Sequence, residues 1–362
     1  PVFPDRFKRQ LVHTAAPMDG AMVDRARERA AKLCTAGRIG PELAQAAEQV
    51  LRDIYASPEV QSLESYSDQA VLVNAAIWRR MLGPASDVPE LVYLDLETIA
   101  ARTMATDCRN AESLISRVLF DDSIRATVAD ALDGERACWD RRRLRARAQG
   151  EDAGANAGTV FFWGLDAQGR RVPLDLQSTG NGCAALAGLD DRGEPHEHPL
   201  EPESIIDALE QGRLMPALFA AYACIGFARG VTCAGGYYQA EYLPRMQQAL
   251  VDALSQRAED EPKANAVKQV PTDVYLSGMQ AVMTPLAGET LVPAGAIEII
   301  ASGGLDDLAL QRVRDLSVLE AHLASVLETV MDATPHAAGD EGWFEQIGHD
   351  LYRDLGNRLV IT

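Results

Sequence analysis

The sequence predicts a mainly α-helical protein with a small β-sheet, an α+β chain in which a helical N-terminal part precedes a mixed α/β part. Along most of the range 19–149, apolar side chains recur at helical spacing. The string GEDAGANAG at 150–158 is small, polar and without periodicity, which is typical of a loop or linker. Strand-like runs after it are too sparse for a doubly wound sheet or a barrel. We therefore divide the chain into parts 1–149 and 159–362.

The helical part begins with clear start and stop signals. Asp19 can cap a helix that runs through Ala36, and Gly37 ends it. Pro41 opens the next helix, because proline suits the first helical turn. The other elements expected in this part are a helix at 68–82, a short β-like run LVYLDL at Leu91–Leu96, and helices at about 110–119, 122–132 and 135–148.

The second part opens with a β-hairpin. Its strands, TVFFWGLD and RRVPLDL, flank the short turn Ala167–Gly169. Residues 177–202 are expected to be irregular, because glycines recur there without a period. The elements expected after them are helices at about 203–211, 214–229 and 239–257, an exposed connection at Arg257–Lys268, a β-like run at Ala294–Ala301, a long helix at Asp306–Asp332, a helix at about 341–355 and a strand at Arg358–Thr362.

Composition excludes several classes of protein. Hydrophobic residues make up 47% and charged residues 24% of the 362, which is typical of a globular chain and not of a disordered one. The 34 basic and 53 acidic side chains give a net charge of −19, which disfavours nucleic acid as a partner because a polyphosphate would be repelled. The six cysteines form no C-x-x-C pair, so reduced thiols are expected.

The sequence gives no sign of membrane contact. The most apolar stretch, Leu214–Ala228, falls short of the ~20 residues needed to span a bilayer. A buried helix with Pro216 in its first turn explains it better. The N-terminal string PVFPDRFKRQ holds no apolar core of signal-peptide length. We therefore expect a cytoplasmic protein, with a homo-oligomer among the open alternatives.

Two histidines stand in the string DDRGEPHEHP at 190–199. In a strand, the rings of His196 and His198 would point to one face, as a divalent-metal site needs. The two neighbouring prolines argue against a regular strand, and the density of charge favours an exposed loop. Both interpretations stay open: a metal site with His196 and His198 as ligands, or a solvated loop.

A glycine-rich string, STGNGC at 178–183, follows the hairpin. Its glycines would let backbone N–H groups approach an anion, and Cys183 is a candidate nucleophile within it. The string matches neither the P-loop nor the dinucleotide-binding pattern. The competing interpretation is a plain turn, with Cys183 as a small buried hydrophobe.

The most promising segment is the corner between two helices at 229–242. Gln239 and Tyr242 are spaced to share a helix face, as are Tyr238 and Tyr242. Such polar groups beside an apolar helix can fix a small ligand. Glu241 is a candidate general base if burial raises its pKa. The competing interpretation is a helix corner whose tyrosines cover the core.

Arginines gather near this region although the chain is acidic overall. Arg170 and Arg229 are candidates for holding a substrate carboxylate or phosphate. The basic run from Arg136 to Arg147 has two interpretations. It contacts an anion or an acidic partner, or it forms a solvated helix face that pairs with the acidic excess of the same chain.

The candidate residues cluster at 160–245, where glycine-rich loops separate regular elements. The leading hypothesis is therefore a cytosolic enzyme that acts on a small polar or anionic metabolite, by group transfer or metal-assisted chemistry, with its pocket at 160–245. The sequence defines neither the reaction nor a cofactor. The alternative is a non-catalytic binding or scaffold protein that uses its helical N-terminal half.

Overall fold

The computed structural model describes residues 12–150, 157–178, 184–236, 238–274, 279–285, 291–333, 346, 349–350, 353–356 and 358–362. The chain is mainly α-helical with small β-sheets, as the sequence predicts. It divides into two compact units. Unit 1 contains Ala15–Leu94 and Gly278–Thr362, and unit 2 contains Arg9–Thr14 and Asp95–Ser277. None of the described helices is both long enough and apolar enough to cross a membrane.

The helices of the described residues are α1 (Gly20–Thr35), α2 (Pro41–Val50), α3 (Pro58–Gln61), α4 (Tyr66–Leu82), α5 (Leu96–Cys108), α6 (Leu114–Phe120), α7 (Asp122–Ala131), α8 (Arg141–Ala148), α9 (Pro202–Glu210), α10 (Leu218–Ala221), α11 (Gln239–Leu254), α12 (Glu261–Lys268), α13 (Ala296–Ala301), α14 (Asp307–Asp315) and α15 (Val318–Ala333). Two π-helical segments, Leu51–Tyr55 and Tyr222–Phe227, continue α2 and α10, and a 3-10 turn, Ala258–Asp260, precedes α12.

The strands are β1 (Phe162–Leu165), β2 (Arg171–Pro173), β3 (Asp175–Ser178), β4 (Ala184–Leu189), β5 (Pro195–Pro199), β6 (Leu214–Pro216), β7 (Val282–Pro285), β8 (Leu291–Pro293) and β9 (Val360–Ile361). They form three-stranded sheets with the orders β2-β1-β6, β3-β4-β5 and β8-β7-β9. The predicted hairpin is confirmed as the antiparallel pair β1–β2, with Trp163 opposite Pro173.

Unit 1 joins the first four helices to the C-terminal part of the chain. Val50 and Val73 are buried in one cluster, against which Ile297 and Ile300 of α13 pack. The predicted C-terminal strand is confirmed as β9, which pairs in parallel with β7. Because these contacts are long-range, this unit could not be delimited from local composition.

The loop expected to separate two parts lies inside unit 2. The N–H of Asp140 donates to the carbonyl oxygen of Ala157 at 2.8 Å. Gly158 forms an antiparallel bridge with Trp139. The described ends of this string, Gly150 and Ala157–Gly158, therefore lie within one unit, whereas the observed unit boundaries lie near 94 and 277.

The core of unit 2 contains a cluster of three aromatic rings. The Trp139 ring lies edge-on to Phe161 at 5.4 Å and to Phe219 at 5.8 Å between centroids. The indole N–H of Trp139 donates to the carbonyl oxygen of Ala129 at 2.9 Å. Phe161 adopts a left-handed φ of 59° and is fully buried. Such a φ is strained for a bulky residue, so the packing of its ring holds the backbone there.

Three expectations about strands are wrong. Much of 177–202 is regular, since it contains β4 and β5. Gly188 does not interrupt β4 but allows the close approach of another strand, because a Cβ there would lie 2.1 Å from the carbonyl oxygen of Pro173. The run at Ala294–Ala301 contains the helix α13 and no strand. The run at Leu91–Leu96 forms no strand either, and its last residue begins the unexpected helix α5.

Expectations about helices also need correction. Leu214–Pro216 is the strand β6 instead of a first helical turn, and it pairs with β1. The connection Arg257–Lys268 is not simply exposed, since it contains α12 and the fully buried Asp260. The single helix expected at Asp306–Asp332 is two, α14 and α15. Much of the helix expected at 341–355 lies outside the described residues.

Candidate functional site

An open groove of about 660 Å³ on unit 2 is the candidate site. Its volume lies within the range of small-molecule sites, roughly 300–1,000 Å³. The walls come from the end of α5, from α6 and the start of α7, and from the first two turns of α9. The lining residues are Cys108, Arg109, Ala111, Ser116, Arg117, Phe120, Asp121, Pro202, Glu203, Ile206 and Asp207.

One wall is the beginning of α9. Pro202 occupies the first helical position, where its missing N–H costs nothing. Glu203, Ile206 and Asp207 follow at i, i+3 and i+4, so one helix face carries all three toward the groove. Both carboxylates belong to exposed residues. Within the described part of the chain neither side chain has an ion-pair or hydrogen-bond partner.

The guanidinium of Arg109, directly after α5, also lines the groove and reaches Glu210 at the end of α9. Its Nη1 donates to the carbonyl oxygen of Ala105 at 3.1 Å, and its Nη2 donates to Oε1 of Glu210 at 2.5 Å. Both side chains of this ion pair are 51% exposed. Such a pair contributes little stability, and a guanidinium has five N–H donors. Arg109 therefore keeps donors that a ligand carboxylate can use.

Arg117, the second arginine of the groove, is held much more firmly. Its Nη2 lies 2.6 Å from Oδ2 of Asp260 and its Nε lies 3.1 Å from Oδ1. Hydrogen bonds to Asp260 and then to Glu259 raise the pKa of Arg117. Burial alone would raise the pKa of Asp260, but the hydrogen bond and charge of Arg117 outweigh it and lower that pKa. Arg117 is therefore part of the framework.

Apolar side chains complete the groove. Phe120 and Ile206 are partly buried and pack against the main core of unit 2. Cys108 is buried beside them, and burial raises the pKa of its thiol to about 12. A thiol with that pKa is protonated at neutral pH and is not a nucleophile.

The structure has a corner between helices at 229–242, as predicted, but the side-chain amide of Gln239 in it is fully hydrogen-bonded within the chain. Gln239 is buried, and its Oε1 accepts a hydrogen bond from the hydroxyl of Tyr222 at 2.7 Å. Its Nε2 donates to the carbonyl oxygen of Cys233 at 2.6 Å and to that of Val274 at 3.3 Å. The hydroxyl of Tyr242 lies 3.4 Å from that of Tyr222. The arrangement pins the loop to α11, as in the competing interpretation of a helix corner.

Glu241 lies on the outer side of α11. Its Oε2 is 3.4 Å from Nε of Arg136, and both side chains are about half exposed, at 44% and 52%. The burial that would suit Glu241 to act as a general base is therefore absent. Tyr238 is also exposed, and the guanidinium of Arg136 stacks over its ring at 4.0 Å from the centroid.

Both candidate substrate-binding arginines are engaged in ion pairs. Nη2 of Arg229 donates to Oδ1 of Asp107 at 2.8 Å, and Nη1 donates to Oδ2 at 3.0 Å and to the carbonyl oxygen of Cys224 at 2.6 Å. Nε of Arg170 donates to Oδ2 of Asp166 at 2.7 Å. Because Asp107 precedes Cys108 and Arg109, this ion pair helps to fix the end of α5, which lines the groove.

The two predicted metal ligands do lie in a strand. His196 pairs opposite Gly188 and His198 opposite Leu186, so both rings share one face of β5. The prolines are tolerated because β5 is an edge strand. Among the described residues, no group of three His, Cys, Asp or Glu side chains could hold a metal ion. Metal binding by His196 and His198 stays a prediction.

Cys183 lies outside the described residues, so its candidacy as a nucleophile stays a prediction.

The basic run from Arg136 to Arg147 is largely engaged in ion pairs within the chain. Nη1 of Arg141 lies 3.0 Å from Oδ1 of Asp130, and Nη2 of Arg147 lies 2.8 Å from Oδ1 of Asp191. These pairs agree with the interpretation of a helix face that pairs intramolecularly.

Of the residues singled out in the sequence, those that the structure describes do not line the groove. Sequence reasoning missed Arg109 because it stands just after α5, a helix that was not expected. The spacing of Glu203, Ile206 and Asp207 after Pro202 was a usable signal, since it places two acids and one apolar residue on one helix face.

Comparison with protein-family models, with curated proteins and with solved structures gives no match for this chain.

Proposed function

We propose that unit 2 binds a small zwitterionic metabolite, of the size and chemistry of an amino acid, in the groove between α5–α6 and α9. The observation that carries this proposal is the distribution of charge across the groove. Arg109, after α5, offers spare N–H donors, and the carboxylates of Glu203 and Asp207 on α9 have no partner among the described residues. A ligand carboxylate suits Arg109, and an ammonium suits the two acids.

The apolar part of such a ligand would contact Phe120 and Ile206. This proposal narrows the expected small polar or anionic metabolite to one with both charges. We also propose, as the sequence predicts, that the protein is a cytoplasmic enzyme, and we assign no reaction to it.

Isothermal titration calorimetry tests the proposal with three probes: leucine, leucinamide and N-acetylleucine. Leucinamide lacks the carboxylate, and N-acetylleucine lacks the ammonium. We expect leucine to bind more tightly than either derivative. Hydrogen bonds to charged groups contribute about 1.5–3 kcal/mol, so each loss should weaken binding roughly 10–100-fold.

Matched variants assign the two ends of the ligand. Arg109→Gln should weaken leucine and N-acetylleucine but leave leucinamide nearly unchanged, whereas Asp207→Asn should weaken leucine and leucinamide. Asp252→Asn is the control, since Asp252 lies on α11 and does not line the groove. The proposal fails if no probe binds saturably, or if both groove variants bind all probes as the control does.

A further inference from the structure

A short segment of unit 1 exposes apolar side chains and has no secondary structure. The string LVYL at 91–94 has the β-branched and aromatic composition of a strand, yet it lies in neither a helix nor a strand. Val92 is 70% exposed, Leu94 65% and Tyr93 38%. Exposed apolar residues are ordinary when single, whereas contiguous ones are typical of interaction surfaces.

The segment is anchored on one side and open on the other. The indole N–H of Trp78 donates to the carbonyl oxygen of Pro89 at 2.7 Å, just before it. The N–H of Ser86 donates to Oδ1 of Asp307 at 2.8 Å. In the described part of the chain, the backbone N–H and C=O groups of 91–94 make no hydrogen bond. Unpaired backbone groups beside apolar side chains form a template for an added strand.

Charge argues against a second copy of this chain as the added strand. In an antiparallel pair centred on Val92 and Tyr93, Glu90 of one copy would lie opposite Asp95 of the other, a carboxylate that accepts a hydrogen bond from the N–H of Thr98 and contacts His13 in its own chain. In a parallel pair, Glu90 would lie beside Glu90. Like charges placed opposite each other destabilise strand pairs, and two chains of charge −19 repel each other.

We propose that residues 91–94 form a β-strand upon docking an extended segment of another protein, in which alternating apolar residues are flanked by lysine or arginine. Backbone hydrogen bonds to 91–94 give affinity, and the side chains of Val92 and Leu94, which share one face of a strand, contact the partner's apolar residues. Glu90 pairs with a basic flank. This surface is independent of the groove of unit 2.

A phage-displayed library of random twelve-residue peptides tests the proposal on the full chain. Selection on the wild type should enrich peptides that alternate apolar residues between basic flanks. A synthetic peptide of the enriched sequence should bind at least tenfold more weakly to Val92→Pro, which removes the N–H of residue 92 and replaces its branched side chain by a ring closed on the backbone nitrogen. Leu72→Lys is the control, because Leu72 is an apolar residue of α4 that is 39% exposed. This variant should bind the peptide as the wild type does.

Two further readouts separate the alternatives. Glu90→Lys should reduce affinity for the basic peptide, and hydrogen exchange should show protection of the amides of 91–94 upon binding. Circular dichroism verifies that each variant is folded. The proposal is overturned if no peptide is enriched, if enriched peptides bind Val92→Pro and wild type alike, or if they carry acidic flanks. It is also overturned if sedimentation shows a dimer that Val92→Pro dissociates, since the occupant is then a second copy.

Discussion

The fully buried carboxylate of Asp260 forms a two-point ion pair with the guanidinium of Arg117, through contacts of 2.6 and 3.1 Å. This pair ties the turn before α12 to α6. Arg117 also lines the groove, 20% of its side chain being exposed, whereas the Arg109 side chain is 51% exposed. One arginine of the groove is therefore structural, and the other can serve a ligand.

The first prediction follows from this difference. Arg117→Met should lower the free energy of unfolding by about 3–5 kcal/mol, because it leaves the Asp260 carboxylate buried without its main partner. Arg109→Gln breaks only an exposed pair and should cost less than about 1 kcal/mol. Urea unfolding followed by circular dichroism measures both. Equal losses in the two variants would refute the assignment of a structural role to Arg117 alone.

The second prediction concerns acid stability. Burial first, then the charges of Arg213 and His196, lower the pKa of His198 from 6.5 to about 4. Its Nε2 is buried and has no hydrogen-bond partner within the described ranges of the chain. As pH falls below 6.5 the unfolded chain binds a proton that the folded chain refuses, so stability decreases until about pH 4. The loss should be of the order of 1–3 kcal/mol.

Thermal unfolding between pH 4 and 7.5 tests this effect of His198. His198→Leu should flatten the pH dependence, because it removes the titrating group and the unpartnered nitrogen. His196→Gln, a half-buried neighbour on the same strand face, should keep most of the slope. A wild-type slope that survives His198→Leu would show that other groups control acid stability.

The third prediction compares two glycines with left-handed backbones. A Cβ on Gly158, at φ +68°, would lie 2.1 Å from the carbonyl oxygen of Cys138. A Cβ on Gly134, at φ +86°, would meet nothing within 4 Å. Gly134→Ala should therefore cost about 1 kcal/mol of backbone strain, and Gly158→Ala should cost at least about 3 kcal/mol because backbone must move. Denaturant unfolding that ranks them equally would contradict the close approach of Gly158 to the carbonyl oxygen of Cys138.

The fourth prediction tests the role of Gln239 as a pin for its loop. Gln239→Ala removes the hydrogen bond to the carbonyl oxygen of Cys233. In the wild type Cys233 is half-buried, and burial raises the pKa of its thiol. We expect Cys233 of the variant to react several-fold faster with a maleimide than Cys233 of the wild type. Mass spectrometry of each cysteine gives the rates, and Cys34 on α1 serves as the internal control. Unchanged labelling of Cys233 would mean that the loop is held by other contacts.

Local signals in the sequence sufficed for elements that local chemistry decides. The side chain of Asp19 caps α1 by accepting a hydrogen bond from the N–H of Met22 at 2.7 Å. The glycine-containing turn joins β1 and β2 as expected. Elements that depend on distant partners were predicted poorly: Ala294–Ala301 reads as a strand by composition, but it is a helix because α2 and α4 offer it a helical packing site.

The candidate site was the least predictable feature. The residues singled out in the sequence are chemically versatile, but the structure engages several of them internally, as it does Gln239 with the loop and Arg229 with Asp107. Sequence shows which side chains can do chemistry, not which are already satisfied by neighbours. Arg109 and Asp207 could not be found in this way, because their candidacy depends on the groove that they line in the folded chain.

A crystal structure of the protein with leucine, or with a tighter amino acid from a calorimetric screen, tests the central claim most directly. The expected result is ligand density in the groove, with the carboxylate within hydrogen-bond distance of the Arg109 guanidinium and the ammonium within the same distance of Glu203 or Asp207. Density elsewhere, for example beside Tyr222 and Gln239, with the groove holding only water, would contradict the claim.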